Sequence, residues 1–335
     1  MRSQTLHPAR LTPIAILAAL LMMIAGGVPL ADAAWPGREG PVLYAGLVQG
    51  QPKRSYAAVG LRAFNPDLPA SATEITTDRF DLYPQVSPDG RLVVFSRRVR
   101  EGPGETASGI FVIGVDGSGL RQLTDGGSGF GGDVQPSFYP SGQRIVFARL
   151  GDLFSVGIDG TGLRRITASH ADERAPVVSP SGRQIVFECA NYIRKGIEYS
   201  NNHICSIRPD GSHRRDLTPR FESGQEAFDP DFSPSGRVIA FSVGPGVAAD
   251  VFTMRANGAR LGALTNRGPR GGRKFPRGVG YDEPAFSPAG GSIIAVARSG
   301  ERPGFVRIRL DDPKHPQPLG EQFLGRAPVW APAGS

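Results

Sequence analysis

The sequence predicts an all-β fold, a six-bladed β-propeller closed by a blade shared between the N- and C-terminal segments. Three observations carry that expectation. A Pro-X-Gly turn recurs along the chain, an Asp-Gly or Asn-Gly turn recurs between β-branched runs, and the strand-like segments leave complementary remnants at the two ends.

The Pro-X-Gly turn appears six times, each time after an apolar residue. The copies are Val86-Ser87-Pro88-Asp89-Gly90, Phe138-Tyr139-Pro140-Ser141-Gly142, Val178-Ser179-Pro180-Ser181-Gly182, Phe232-Ser233-Pro234-Ser235-Gly236, Phe286-Ser287-Pro288-Ala289-Gly290 and Trp330-Ala331-Pro332-Ala333-Gly334. Their prolines lie 52, 40, 54, 54 and 44 residues apart. One hairpin turn per unit at that period is the mark of a repeat architecture. The 45 glycines and 30 prolines among 335 residues suit short strands and turns rather than helices.

Each unit holds four strand-like parts, A to D. In the third unit these are 136–139, 144–149, 153–158 and 163–167. Apolar and polar residues alternate with period two in B and C, and Val, Ile and Phe dominate, as half-buried strands require. Asp159-Gly160 closes the C–D hairpin, and Asp116-Gly117, Asp210-Gly211 and Asn257-Gly258 repeat it. Glycine tolerates the positive φ that such turns need. Five complete sets begin near Tyr83, Gln135, Pro176, Pro230 and Pro284. Ahead of them, 42–46, 56–64 and 74–76 read as B, C and D without an A, and 328–330 at the far end reads as an A with nothing after it. Joining the remnants gives six blades and removes the exposed edges of an open array.

Ser-Pro-Asp-Gly, then Val93-Val94-Phe95-Ser96, then 110–115 ending ahead of Asp116-Gly117-Ser118-Gly119, then Leu123-Thr124, resembles the TolB-type propeller repeat, and 83–124 matches best. The resemblance extends over 42–334 and implies a propeller that binds or scaffolds in the cell envelope. Members of that family carry an α/β domain ahead of the propeller for envelope contacts. Here the propeller follows closely on the N-terminal segment, so the likeness is to a stand-alone TolB-like propeller.

That N-terminal segment reads as a signal peptide over 1–33, with the propeller over 34–335. Arg2 and Arg10 open it, 14–24 is apolar, and Ala31-Asp32-Ala33 offers the small residues of a cleavage site before Ala34. The apolar core, 13–26, is short for a span of about 20 residues, so no transmembrane segment is expected in the mature chain. No Cys follows the apolar run, which argues against a lipoprotein anchor. An exported chain, periplasmic or extracellular, is expected to bridge its two cysteines, Cys189 and Cys205. Aligning the third and fourth units sets Cys189 opposite His203 and Cys205 diagonal to it on the same sheet face. The net charge of +7 becomes +6 without the leader, which aids solubility and attracts acidic surfaces without indicating nucleic acid.

Strand order places the A–B and C–D turns on one face and the longer connections, 101–109, 125–133, 191–202, 219–228 and 266–281, on the other. Recognition in repeat proteins concentrates where loops grow on a rigid scaffold. On that upper face Asp81, Asp133, Asp172 with Glu173, Asp229, and Asp282 with Glu283 fall just before the first proline of strand A. Strand A lines a propeller channel, so these carboxylates are expected to ring its mouth, with Arg174 and Arg326 at equivalent places. Against this stands a second reading, in which they accept backbone N–H groups in the D–A turns. The loop bearing Arg267, Arg270, Arg273, Lys274 and Arg277 is either a contact for acidic glycans or lipid headgroups or simply solubilising.

The sequence contains no G-x-S-x-G elbow, no H-E-x-x-H and no phosphate-binding G-x-x-x-x-G-K-[ST]. The expectation is therefore a monomeric, non-catalytic module without catalytic residues, cofactor or metal. Its partner at the upper channel mouth is a protein or peptide, contacted by Asp81, Asp133, Glu173, Arg174, Asp229, Asp282, Glu283 and Arg326. The alternative is a carbohydrate-active, lyase-like propeller enzyme with a metal in the channel, for which His170 and His203 are the candidate ligands.

Overall fold

The computed structural model describes residues 39–49, 56–102, 105–126, 132–169, 171–190, 202–218, 221, 225–244, 249–265, 280–299, 302–320 and 325–332. The expected leader, the basic loop 267–277 and His170 lie outside them. The described residues form six four-stranded antiparallel sheets. Blade 1 is β24 (Gly325–Pro332), β1 (Glu39–Gln49), β2 (Tyr56–Asn65) and β3 (Leu68–Glu74); blade 2 is β4 (Leu82–Val86), β5 (Leu92–Gly102), β6 (Glu105–Gly114) and β7 (Arg121–Gln122). Blade 3 is β8 (Asp133–Phe138), β9 (Arg144–Arg149), β10 (Asp152–Gly157) and β11 (Arg164–Arg165). Blade 4 is β12 (Asp172–Val178), β13 (Ile185–Ala190), β14 (His203–Ile207) and β15 (Arg215–Asp216). Blade 5 is β16 (Glu226–Phe232), β17 (Val238–Gly244), β18 (Asp250–Arg255) and β19 (Gly262–Ala263); blade 6 is β20 (Gly280–Phe286), β21 (Ser292–Ser299), β22 (Arg302–Arg309) and β23 (Gln317–Pro318). The inner strands touch in the order β4, β8, β12, β16, β20, β24 and back to β4, a closed ring.

Closure is made as the sequence predicts. β24 pairs with β1 through Val42↔Trp330 and Leu43↔Val329. Trp330 is fully buried among Val42, Tyr44, Phe64, Ile294, Val296 and Phe305, and its indole N–H donates to the Gly40 carbonyl at 3.0 Å. Its neighbours Val329 and Ala331 face the other way, into the core of Leu43, Leu61, Val93 and Phe95. The seam strand thus serves two inter-blade cores, and each fully buried large side chain contributes about 1.5–3 kcal/mol.

The repeat signals have specific work. In four of the Pro-X-Gly turns the leading serine hydroxyl accepts the N–H of the residue five positions on, where strand B begins, as from Leu92 to Ser87 at 2.9 Å and from Gln184, just ahead of β13, to Ser179 at 3.1 Å. The turn glycine is left-handed, φ +70° at Gly90 and +65° at Gly236. The Leu/Ile-Thr ending of blades 1 to 5 closes strand C. Thr76, Thr124, Thr167, Thr218 and Thr265 each accept, through Oγ1, the N–H of the strand-C residue Leu61, Ile110, Leu153, Ile204 or Val251 at 2.8–3.0 Å.

Two features differ from expectation or were not foreseen. The stretch 101–109, read above as a loop, continues β5 and β6 as a long hairpin with pairing out to Gly102↔Glu105. The ladder passes the adjacent polar pair Arg97-Arg98 and continues beyond a register break between Arg98 and Arg100. Every inner strand also carries a bulge at its first proline. The residue before that proline, Tyr83, Gln135, Ala175, Asp229, Glu283 or Ala327, has φ between +45° and +54°. Proline has no N–H to give the ladder, and the strand accommodates the loss by a local register break.

Candidate functional site

The six inner strands surround a channel of about 1110 Å³. The bulge decides what faces it. All six left-handed residues line the channel, followed by their prolines. In blades 1 and 3 to 6 their backbone N–H groups, turned out of the sheet, are held by the preceding blade. Where strand B offers an oxygen it accepts: Ser96 from Gln135 at 3.1 Å, Glu188 from Asp229 at 2.8 Å and Ser242 from Glu283 at 3.2 Å. Where that place is Ala148 or Val296, the preceding left-handed residue supplies the acceptor instead. Gln135 Oε1 receives Ala175 N–H at 3.1 Å, and Glu283 Oε2 receives Ala327 N–H.

The expected ring of equivalent carboxylates is not formed. Asp81, Asp133 and Glu173 sit three residues before the proline, fully buried and away from the channel lining. Asp81 takes both Arg97 Nε and Nη2, at 2.6 and 2.7 Å, and Asp133 takes the same pair from Arg149 at 2.5 and 2.7 Å. Each arginine lies over two phenylalanines of its own blade, Arg97 over Phe95 and Phe111, Arg149 over Phe147 and Phe154. Burial raises the Asp81 pKa, with Arg97 opposing the rise. In blade 4 the arginine's place opposite Glu173 is taken by Cys189. Glu173 instead meets Arg214, which lies over Phe187, and accepts Ser169 Oγ at 2.8 Å. These three carboxylates staple strands together. Neither the ring nor the backbone-turn reading describes them.

The channel wall carries a different set. Asp172, Glu188, Asp229, Asp231, Asp282 and Glu283 line it together with Arg174, Arg298 and Arg326, so carboxylates outnumber guanidinium groups six to three on a chain of net charge +7. Arg174 pairs with Asp172 at 2.5 Å. Arg298 reaches Asp282 at 2.5 Å and Glu283 at 3.1 Å, and Arg326 meets Glu283 at 3.3 Å. The remaining acids are crowded. Burial, then the neighbouring Glu188, Glu283 and Asp282 charges, raises the Asp229 carboxyl well above its usual range, although its position in the channel leaves it only half-buried by area. Burial pushes Glu188 and Asp231 up to about 7. Burial, reinforced by Glu283, takes Asp282 to about 6, and its Oδ1 is buried without a hydrogen-bond partner.

Glu188 and Asp231 were not anticipated. Glu188 was legible as a charge inside the apolar run Ile185-Val186-Phe187, where a carboxylate is placed only with partners. Asp231 follows the bulge and accepts Phe286 N–H at 2.7 Å. His203, the described candidate for a channel metal, lies on β14 against Cys189 and does not line the channel; among the described residues no histidine does. Cys189 and Cys205 form the expected disulfide, with Cα atoms 5.9 Å apart and the predicted register, Cys189 opposite His203.

Comparison with known proteins places these features in context. Residues 80–276 match the TolB beta propeller domain. No curated protein matches the chain. Among solved structures, TolB from Acinetobacter baumannii is 20% identical, with 95% of this chain and 71% of that chain covered and a TM-score of 0.64. Hydrazine synthase from Kuenenia stuttgartiensis is 16% identical over 90% of this chain and 48% of that one, with a TM-score of 0.67. Oligogalacturonate lyase from Vibrio parahaemolyticus is 11% identical over 88% and 79%, with a TM-score of 0.50. At these identities the likeness is one of fold.

Proposed function

The chain belongs to the TolB beta propeller domain family, and on that premise we propose that it is an exported, non-catalytic binding module of the cell envelope whose channel mouth takes a basic segment of a protein partner. One observation carries the reading. Glu188, Asp229, Asp282 and Glu283 crowd one side of the channel, and the arginines facing them leave Asp282 Oδ1 without a partner. Such a crowd, in which Glu188, Asp229 and Asp282 have raised pKa values, is a site that an incoming cation completes, because its charge stabilises the ionised forms that burial and repulsion disfavour. At about 1110 Å³ the channel exceeds the few hundred to about 1000 Å³ of a small-molecule pocket and accommodates a peptide segment.

Charge complementarity of this kind sets association rate and salt dependence before it sets affinity. A cation that draws protons off Glu188 and Asp229 also makes binding tighten with pH. The direct experiment is fluorescence anisotropy with a labelled Lys/Arg-rich peptide, beside an acidic peptide of equal length. The basic peptide should bind, more weakly in high salt, and its affinity should rise from about pH 5.5 to about pH 7.5. The D229N/E283Q variant should bind it at least about tenfold more weakly while retaining the wild-type circular dichroism. Equal binding of both peptides, or an unaffected variant, would sink the proposal. Binding of calcium alone with no response to the peptide would make the site one for an inorganic cation. Export is tested separately, by expressing the whole chain and sequencing the N-terminus of the protein recovered outside the cytoplasm, which should begin at Ala34.

A further inference from the structure

Blade 4 departs from its neighbours at a second place. In blades 2 and 3 the strand-B arginine, held by its aspartate, packs over a cross-strand phenylalanine pair, Phe95–Phe111 or Phe147–Phe154. In blade 4 the arginine's place is Cys189 and the second phenylalanine's is Cys205, opposite Phe187. Two polar residues join them on the same sheet face. His203 lies opposite Cys189, and Asp216 of β15 lies opposite Cys205.

The four side chains converge. One ligand atom from each of Cys189, His203, Cys205 and Asp216 lies within 4.8 Å of all the others. His203 Nε2 is 3.7 Å from Asp216 Oδ2, and Cys205 Sγ is 3.2 Å from Asp216 Oδ1. A tetrahedral zinc ion with sulfur at about 2.3 Å and nitrogen or oxygen at about 2.0 Å places its donor atoms roughly 3.3–3.8 Å apart, and these non-bonded separations already fall near that edge length. The donors also suit it, two thiolates, an imidazole and a carboxylate being a borderline-soft set that favours zinc over magnesium or calcium. Three of the four residues are buried, Cys189, Cys205 and His203, while Asp216 is exposed and gives an entry path.

We propose that this cluster has two states, a disulfide when oxidised and a four-ligand zinc site when reduced. The exchange balances with a dithiol reductant. Its thiolate attacks one sulfur of the Cys189–Cys205 bond, forming a mixed disulfide and releasing the other cysteine. The second reductant thiolate then closes its own disulfide and frees the remaining cysteine. Two electrons pass to the protein, which holds two thiols. Zinc displaces the two thiol protons and binds both thiolates, the neutral His203 Nε2 and the Asp216 carboxylate. The bound set carries one net negative charge, and Arg214, whose Nη1 pairs with Glu173, brings its Nη2 to 4.0 Å from Cys205 Sγ. In both states β13 and β14 stay tied, the role that arginine stacking fills in blades 2 and 3.

The test uses the full chain, reduced with a dithiol that is then removed anaerobically, and titrated with cobalt(II) as the spectroscopic stand-in for zinc. One equivalent should produce the intense visible bands of tetrahedral cobalt together with a thiolate-to-cobalt charge-transfer band, and one equivalent of zinc should abolish both. Protein left oxidised should show neither. H203A and D216N should each weaken cobalt binding at least about tenfold, and the C189S/C205S double variant should lose the charge-transfer band. Zinc-loaded protein should resist reoxidation by air, whereas metal-free reduced protein reforms the disulfide. A reduced protein that is folded by circular dichroism but gives only the weak spectrum of octahedral cobalt overturns the proposal. So does retention of wild-type affinity by H203A and D216N together, since the cysteines would then act without the other two ligands. If reduction unfolds the chain, zinc must restore the β-sheet signal, and failure to do so is equally decisive against it.

Discussion

Asp133 and Asp229 are each an aspartate just ahead of an inner-strand proline, and they do opposite things. Asp133 lies three residues before its proline, closed off from solvent and gripped by both nitrogens of Arg149. Asp229 lies immediately before its proline, left-handed, with its side chain in the channel among other carboxylates. A shift of two residues along a regular strand leaves a side chain on the same face. Here the bulge lies between the two positions, so the shift separates a fold-building residue from one available to a ligand. The lesson is that of these two positions only the one at the bulge faces the channel, while Asp172, Asp231 and Asp282 reach it from other places on their inner strands.

That contrast presumes the closed ring, and the largest effect comes from opening it. Removing residues 326–335 deletes the pairing of β24 with β1 and uncovers both cores that Trp330 and Val329 join. With several large side chains stripped of burial at about 1.5–3 kcal/mol each, insoluble or unfolded protein is the expected result. A truncated chain whose thermal melt matches wild type would break the closure, and with it the assignment of Arg326 and Glu283 to one wall.

Next in size is the difference between the two aspartates themselves. D133N leaves Arg149 partly buried without its counter-charge and should lose about 3 kcal/mol in urea unfolding at neutral pH. D229N removes a charge that its neighbours already oppose, so its stability should be unchanged or higher, while peptide binding falls. Equal losses for the two variants would show that Asp229 is as structural as Asp133.

The pH dependence of stability sharpens the same contrast at smaller scale. Glu188 and Asp231 titrate near 7 and Asp282 near 6 in the folded chain, against about 4 when unfolded. Between these values the folded state holds more protons than the unfolded one, so stability falls as pH rises from about 4 to about 7 and returns on acidification. The melting temperature should therefore increase on going from pH 8 to about pH 5, and E188Q/D229N should flatten that rise. A wild-type protein that loses stability steadily over the same interval would mean that the channel acids are ionised and paired.

The fold was almost wholly legible because its signals are local and repeated. Pro88-Asp89-Gly90 and its copies demand a specific turn wherever they occur, and Trp330 and Val42 complement one another across the seam. The Cys189 register followed from aligning two units that differ little in strand length. The site was legible only in part. Asp229, Asp282, Glu283, Arg174 and Arg326 reach the channel as expected, whereas Asp81, Asp133 and Glu173 do not. Their fate depends on Arg97, Arg149 and Arg214, which lie 16 to 41 residues away in sequence, and on a bulge whose sequence signal, the first proline of each inner strand, names no side-chain partner. Glu188 was overlooked because it stands in a strand, although a lone carboxylate in an apolar run was its signal.

The bulge itself supplies the finest test. Ala175 and Ala327 hold φ +45° and +49° with no side-chain function to compensate. Alanine in that region pays a steric penalty of about 1–2 kcal/mol that glycine avoids, while glycine adds roughly 0.4–1 kcal/mol of unfolded-chain entropy. The net for Ala327→Gly is a gain of a few tenths to about 1 kcal/mol, provided the amide stays held by Glu283 Oε2. The same change at Ala285, two residues past the bulge of β20 and buried in a regular part of the strand, should instead lose stability, since glycine weakens strand interiors. Opposite signs in paired urea titrations would show that the channel residue's backbone is set by the bulge. Matching losses at both sites would mean that the left-handed conformation is not what positions Asp229 and Glu283 in the channel.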